Sequence, residues 1–361
     1  MFFAYFPERR VADIFHRSHQ KGKLSQLNIS NSHQGVLLLL IKSANLPKYL
    51  KLIMDKPTVL GNMPPGTKII FLGAIVMVST SVFILLGSYA AFRLYGLNIL
   101  DNPDIFNHPP LADKTLLSAL KLMQILQHIG MFIVPVLVFS YLANAKPYKA
   151  LGLSKSVSAP SLILSILLMF AAIPMINWMV MINEAMVFPD FLAPVEAWMH
   201  DTEESAGKIT DAFLKMDNIG ELVLNLVMIA VIPAIGEELL FRGALQRLIS
   251  EWTNSPHWGI LIASVLFSAL HLQFFGFLPR MMLGILFGYL FLWSESLWLP
   301  ICCHFINNGA AVVFAYLENK GIHNIDPALG GTNGQELIFT LLSALSVTFM
   351  LLIIYKGISK N

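Results

Sequence analysis

Residues 222–242 read LVLNLVMIAVIPAIGEELLFR, an uncharged apolar run that ends in two adjacent glutamates and an arginine. A run of about 20 apolar residues is long enough to cross the hydrocarbon core of a bilayer. Ionisable side chains in such a segment are costly, so Glu237, Glu238 and Arg242 mark a candidate functional site. This segment therefore predicts a transmembrane helix that contains functional side chains.

The composition of the whole chain is typical of an integral membrane protein. Of its 361 residues, 56% are hydrophobic and 13% are charged, whereas soluble domains carry about 25% charged residues. The low charge and the 25 phenylalanines exclude a disordered chain, and two cysteines are too few for a disulfide framework. A net charge of +2 does not indicate a nucleic-acid-binding protein, so no nucleic acid is expected as a partner.

Apolar stretches recur along the chain and predict about eight transmembrane helices. The longest stretch exceeds one crossing, and Gly276 and Pro279 indicate that two helices join within it. The stretches are residues 69–92, 122–144, 157–183, 222–236, 258–294, 297–317 and 337–355. The predicted fold class is all-α, a polytopic membrane helical bundle.

The charges of the loops predict the orientation of this bundle. Residues 1–68 hold ten basic and three acidic residues, whereas residues 184–221 hold nine acidic and two basic ones. Cytoplasmic loops carry the excess of Lys and Arg. With eight crossings, both termini are predicted to be cytoplasmic and the acidic loop outside, in a multi-pass protein of the cytoplasmic (inner) membrane.

Four parts of the chain are predicted from these patterns. They are a basic cytoplasmic N-terminal arm (1–68), three transmembrane helices with the acidic outside loop (69–219), a core that carries the polar motifs (220–318), and the last transmembrane helix with the C-terminus (319–361). The arm is expected to lie on the anionic membrane surface. A translation start at Met54 or Met63 remains an open alternative.

The glutamate pair is interpreted from its helical spacing. Residues four apart share a helix face, so Glu238 and Arg242 are predicted to pair, which leaves Glu237 without a cationic partner. An unpaired carboxylate in apolar surroundings can act as a general base. For Glu237 to reach the depth of His271 on the next helix, its own helix must continue to about Ser250, with Arg242 buried.

Two further motifs have the same spacing. Phe267 and His271 share one helix face, and so do His304 and Asn308. The second pair can donate hydrogen bonds to one point, as an oxyanion requires, although interhelical polar contacts would also explain it.

A third stripe, Lys121, Gln124 and His128, lies in another predicted span. It is interpreted as structural, and a water path is the alternative.

The order Glu-Glu-x-x-x-Arg, Phe-x-x-x-His and His-x-x-x-Asn resembles the CPBP family of intramembrane proteases, which includes CAAX prenyl endopeptidases and bacteriocin-processing and abortive-infection proteins. The resemblance covers residues 220–312. It implies that Glu237 activates a water for attack on a peptide bond and that His271 helps to hold or deprotonate this water. It assigns the oxyanion site to His304 and Asn308. By the same resemblance, the supporting residues are Glu238, Arg242 and Phe267.

The cofactor and the function both have alternatives at this point. No cofactor is expected to be required, although Glu237, His271 and His304 would be the ligands of a zinc ion if the enzyme were a metalloprotease. The expected partners are a membrane-associated peptide or protein substrate and the lipid bilayer. The intact polar set favours an endopeptidase over a non-proteolytic scaffold, such as an immunity or regulatory protein, and over a transporter with Glu237 as proton site.

Overall fold

Helices form the regular structure of residues 58–98, 113–186, 188–322 and 334–358, which the computed structural model describes. The all-α prediction is confirmed for these ranges, and the predicted basic arm lies largely outside them. Eleven helices within the described ranges are numbered α1 (Pro65–Tyr95), α2 (Lys114–Ala143), α3 (Pro147–Ala150), α4 (Ala159–Ala171), α5 (Ile173–Glu184), α6 (Ala193–Leu214), α7 (Ile219–Thr253), α8 (Pro256–Ala269), α9 (Phe277–Ser294), α10 (Trp298–Asn319) and α11 (Gly334–Ile358).

The described residues contain six or seven candidate membrane crossings, fewer than the eight expected from the sequence. Six helices are long and apolar enough alone, namely α1, α2, α7, α9, α10 and α11. A seventh crossing is the pair α4 and α5, which is bent by 44°. The difference lies in α8, whose 14 residues span about 21 Å, less than the roughly 30 Å of a hydrocarbon core. The sidedness of the termini stays a prediction.

A proline explains the bend in one candidate span, and charge explains why another helix is not a candidate span. Pro174, in the first turn of α5, has no N–H to donate, and the bend between α4 and α5 falls just before it. The acidic segment predicted as an outside loop contains α6, whose many acidic side chains keep it out of the set of candidate spans.

Helix α7 is continuous to Thr253, which confirms the prediction of a long helix at the glutamate pair. Asn254 then adopts a left-handed conformation with φ 52°, and the Ser255 hydroxyl caps the first turn of α8. Because α8 folds back along α7, the side chain at its far end returns to the depth of the glutamates. The tight turn therefore brings His271 level with Glu237.

A second close approach joins α2 to α7 at the glutamates. A Cβ atom built on Gly236 would lie 2.8 Å from Cβ of Phe132, so only glycine allows this spacing. Phe132 and the neighbouring Phe241 of α7 belong to one buried apolar cluster. This crossing fixes one face of α2 directly beside the glutamate pair.

Candidate active site

The glutamate pair lies on a short α-helical segment between two π-helical segments of α7. Residues Ile232–Glu238 are α-helical. The segment before them, Leu226–Val231, and the segment after them, Leu239–Gln246, are π-helical. π-Helical turns are rare in proteins overall, and those that occur often lie at functional sites. Both glutamates are buried, with Glu238 fully enclosed.

Glu238 is the centre of a buried hydrogen-bond network. Its Oε1 accepts a 2.8 Å bond from Nη1 of Arg242, as predicted, and lies 2.9 Å from Nδ1 of His304. Arg242 also donates to the carbonyl oxygen of Gly284 at 3.0 Å, and its guanidinium lies 4.7 Å from the ring centroid of Phe267. A buried charge needs such partners, and Glu238 and Arg242 supply them to each other.

Three histidines approach Glu237 through the same ring nitrogen. The Nε2 atoms of His304 and His271 lie 3.8 Å and 4.0 Å from Oε2, and Nε2 of His128 lies 3.7 Å from Oε1. These separations allow electrostatic interaction but exceed a direct hydrogen bond. Oε2 is buried without a hydrogen-bond partner. Oε2 of Glu238 is likewise buried without such a partner, so what distinguishes Glu237 is the set of imidazoles around it.

The other ring nitrogen of each motif histidine has an acceptor. Nδ1 of His271 lies 2.7 Å from the carbonyl oxygen of Phe267, which can only accept, so Nδ1 carries the proton. Nδ1 of His304 faces the carboxylate of Glu238. The Phe267 ring packs edge-on against both imidazoles, with centroids 5.1 Å and 6.0 Å away. These contacts aim both Nε2 atoms at Glu237.

Asn308 lies one helical turn after His304 but has different partners. Its Nδ2 donates to the carbonyl oxygen of Ile229 at 3.0 Å, and its Oδ1 accepts from Asn307. Ile229 belongs to the π-helical segment before the glutamates. Because a primary amide has two N–H groups, one remains for another acceptor. The structure therefore brings together Glu237, His271 and His304, and it places Asn308 against α7 at Ile229, eight residues before Glu237.

His128 is the residue of the site that the sequence reasoning missed. A structural role for the stripe agrees with the position of Lys121, whose Nζ is 3.2 Å from the carbonyl oxygen of Phe213. His128 instead faces Glu237. An ionisable residue in an apolar span was the available signal. The spacing could not show which helix the stripe would meet.

The zinc alternative gains no support from the arrangement of side chains. In the described ranges, no group of three or more His, Cys, Asp or Glu residues is placed to hold a metal ion. Zinc binds imidazole nitrogen and carboxylate oxygen at about 2.0–2.2 Å from a common centre. Here the nitrogens surround the carboxylate of Glu237 itself. The metalloprotease interpretation is therefore not supported by the described residues.

The spans and the site together define a class: a multi-pass integral membrane protein with a buried carboxylate among histidines. Residues 219–310 match the family model described as type II CAAX prenyl endopeptidase Rce1-like. The resemblance to the CPBP family is thus confirmed for the segment that carries the three motifs.

Two curated relatives from Bacillus subtilis (strain 168) are similar to parts of the chain. "Uncharacterized protein YpbD" is 31% identical over 86 residues, which cover 23% of this chain and 41% of the relative. "Putative membrane peptidase YdiL" is 29% identical over 111 residues, 29% of this chain and 45% of the relative. The similarity thus spans less than half the length of each relative. No solved structure matches the chain.

Proposed function

We propose that this protein is an intramembrane endopeptidase that hydrolyses a peptide bond of a membrane-associated peptide or protein with a water activated by Glu237. The observation that supports the proposal most is the convergence of Nε2 of His271 and His304 on Oε2 of Glu237, at 4.0 Å and 3.8 Å. Oε2 of Glu237 is buried without a hydrogen-bond partner, as is Oε2 of Glu238, and the two imidazoles distinguish the first oxygen from the second.

In the proposed reaction, Oε2 of Glu237 accepts a proton from the water, and the water oxygen attacks the peptide carbonyl carbon. Nε2 of His271 has a lone pair in the neutral ring, because Nδ1 carries the proton, and it accepts a hydrogen bond from the second O–H of the water. That hydrogen stays on the attacking oxygen and becomes part of the new carboxyl group. Glu237 then gives its proton to the leaving amine as the carbon–nitrogen bond breaks. The products are a new carboxyl terminus and a new amino terminus.

The carbonyl oxygen becomes negative during the attack and needs donors. An imidazole donates from both nitrogens when it is doubly protonated. In that form His304 bonds Glu238 through Nδ1 and the oxyanion through Nε2. The second N–H of the Asn308 amide is the other proposed donor, because Ile229 occupies only the first.

The proposal is tested by comparing membrane-protein termini in cells that produce the wild type, Glu237→Gln or Glu251→Gln at matched levels. Glu251 is an exposed glutamate of the same helix and serves as the control. New termini are expected with the wild type and Glu251→Gln and to be absent with Glu237→Gln. Identical termini in all three, with Glu237→Gln folded and inserted, would contradict the endopeptidase and favour the non-proteolytic scaffold.

A further inference from the structure

His128 faces a different oxygen of Glu237 from the two motif histidines. Its Nε2 lies 3.7 Å from Oε1, whereas His271 and His304 face Oε2. The His128 side chain is 18% exposed, so it is largely enclosed at the contact. The two carboxylate oxygens therefore have separate neighbours, two imidazoles on one and one imidazole on the other.

The environment of His128 holds the ring in place from its opposite side. Nδ1 lies 3.2 Å from the side-chain amide nitrogen of Gln124 and 3.2 Å from the carbonyl oxygen of the same residue. The ring also packs against Phe132, with centroids 5.4 Å apart, and Phe132 is the residue that touches α7 at Gly236. The helix crossing thus sets where Nε2 points.

The two partners of Nδ1 correspond to two tautomers. If Nδ1 accepts from the Gln124 amide, Nε2 carries the proton and directs it at Oε1 of Glu237. If Nδ1 donates to the backbone carbonyl, Nε2 has a lone pair and no proton to donate to Oε1. The amide-accepting tautomer is therefore the one that suits an ionised Glu237. Contacts of this kind are often long before substrate binds and shorten in the reacting complex.

We propose that His128 is a positioning residue for Glu237, and this inference rests on the proposed endopeptidase activity. Its Nε2–H holds Oε1, so the carboxylate presents Oε2 to the water between His271 and His304. Without this donor the carboxylate is free to rotate about its last bond, and Oε2 loses its alignment. The three family motifs do not include this residue, which comes from a helix outside the segment 219–310.

The test uses the purified full-length protein and a synthetic peptide that spans a Glu237-dependent cleavage site found in the comparison of termini. His128→Ala is expected to lower kcat roughly 10- to 100-fold with KM unchanged, since misalignment of a reacting group has costs of this order. His128→Gln, whose amide nitrogen reaches about as far as Nε2, is expected to be several-fold more active than His128→Ala. His257→Ala is the control, because that imidazole bonds Tyr289 on the surface.

A second variant keeps the test decisive if His128→Ala does not fold. Gln124→Leu removes the amide donor, so Nδ1 is left with the carbonyl acceptor and Nε2 loses its proton. It is expected to lower kcat several-fold, again at constant KM. Unchanged kcat in a folded His128→Ala or in Gln124→Leu, or equal loss in His128→Gln and His128→Ala, would overturn the positioning role. Absence of any Glu237-dependent termini would instead overturn the endopeptidase, and this inference with it.

Discussion

Arg242 donates a 2.8 Å hydrogen bond to Glu238, four residues earlier on α7, and both side chains are almost completely buried. The pair neutralises one of two adjacent carboxylates inside the protein. Arg242 is also bonded to the carbonyl oxygen of Gly284, so its guanidinium has a second fixed partner on α9. Glu238 thus has a cationic partner four residues away, whereas imidazoles lie within 4.0 Å of Glu237.

The first prediction concerns the stability of this pair. Arg242→Ala is expected to lower the free energy of unfolding by about 3–5 kcal/mol, because it leaves a buried carboxylate without its cation. The double variant Glu238→Leu with Arg242→Met should be less destabilised than Arg242→Ala, since it removes both charges. Thermal unfolding in detergent measures the difference.

The control for that prediction is the exposed pair Lys208 and Glu204, which has the same spacing on α6. Lys208→Ala is expected to leave the unfolding free energy almost unchanged, because solvent screens exposed pairs. Equal effects of Lys208→Ala and Arg242→Ala would contradict the structural role of the buried pair.

The second prediction tests the crossing of α2 and α7. Gly236→Ala places a Cβ atom 2.8 Å from Cβ of Phe132, so the helices must separate. A loss of about 1–3 kcal/mol in unfolding free energy is expected from such overpacking. Gly73→Ala is the matched control, since a Cβ on Gly73 of α1 meets nothing within 4 Å. A Gly236→Ala variant as stable as Gly73→Ala would contradict the observed approach of the two helices.

The third prediction separates the two proposed oxyanion donors. His304→Ala and Asn308→Ala should each lower turnover by about 10²–10³ with little effect on substrate binding. His304→Ala should also reduce stability, because Glu238 loses one of its two hydrogen-bond partners. Steady-state kinetics on the identified peptide give kcat and KM separately. A rise in KM at constant kcat for either variant would exclude that residue from the oxyanion site.

The fourth prediction concerns the part of the α2 stripe that stays structural. Lys121 donates to the carbonyl oxygen of Phe213, and its ammonium lies 5.7 Å from the ring centroid of the same residue. Lys121→Met should therefore keep kcat within about twofold of the wild type while slightly lowering the unfolding temperature, because the buried carbonyl loses one of its two donors and keeps Asn225. A large loss of kcat in a folded Lys121→Met would mean that the stripe lines a functional path.

Side-chain contacts could be predicted from the sequence where both residues of the contact lie on one helix. The spacing of Glu238 and Arg242, and of Phe267 and His271, predicts contacts that the structure contains, because residues four apart share a face whatever surrounds the helix. The extent of α7 followed from a similar argument on depth.

Features that depend on how helices meet could not be predicted from one sequence. The contact of His128 with Glu237 requires α2 to cross α7 at Gly236, and no periodicity specifies that crossing. The predicted number of spans, eight, exceeds the six or seven candidates of the described residues for a related reason. Hydropathy marks α8 as apolar, but the turn at Asn254 and the junction before α9 leave it too short to count as a crossing.

The central claim is that Glu237 activates a water for direct attack. The most direct test is single-turnover cleavage of the identified peptide in oxygen-18 water. The wild type should place one oxygen-18 atom in the new carboxyl terminus in the first turnover, and Glu237→Gln should give no product above background. Product without the label in the first turnover would indicate attack by a protein carboxylate instead of water. Cleavage by Glu237→Gln at the wild-type rate would likewise contradict the account.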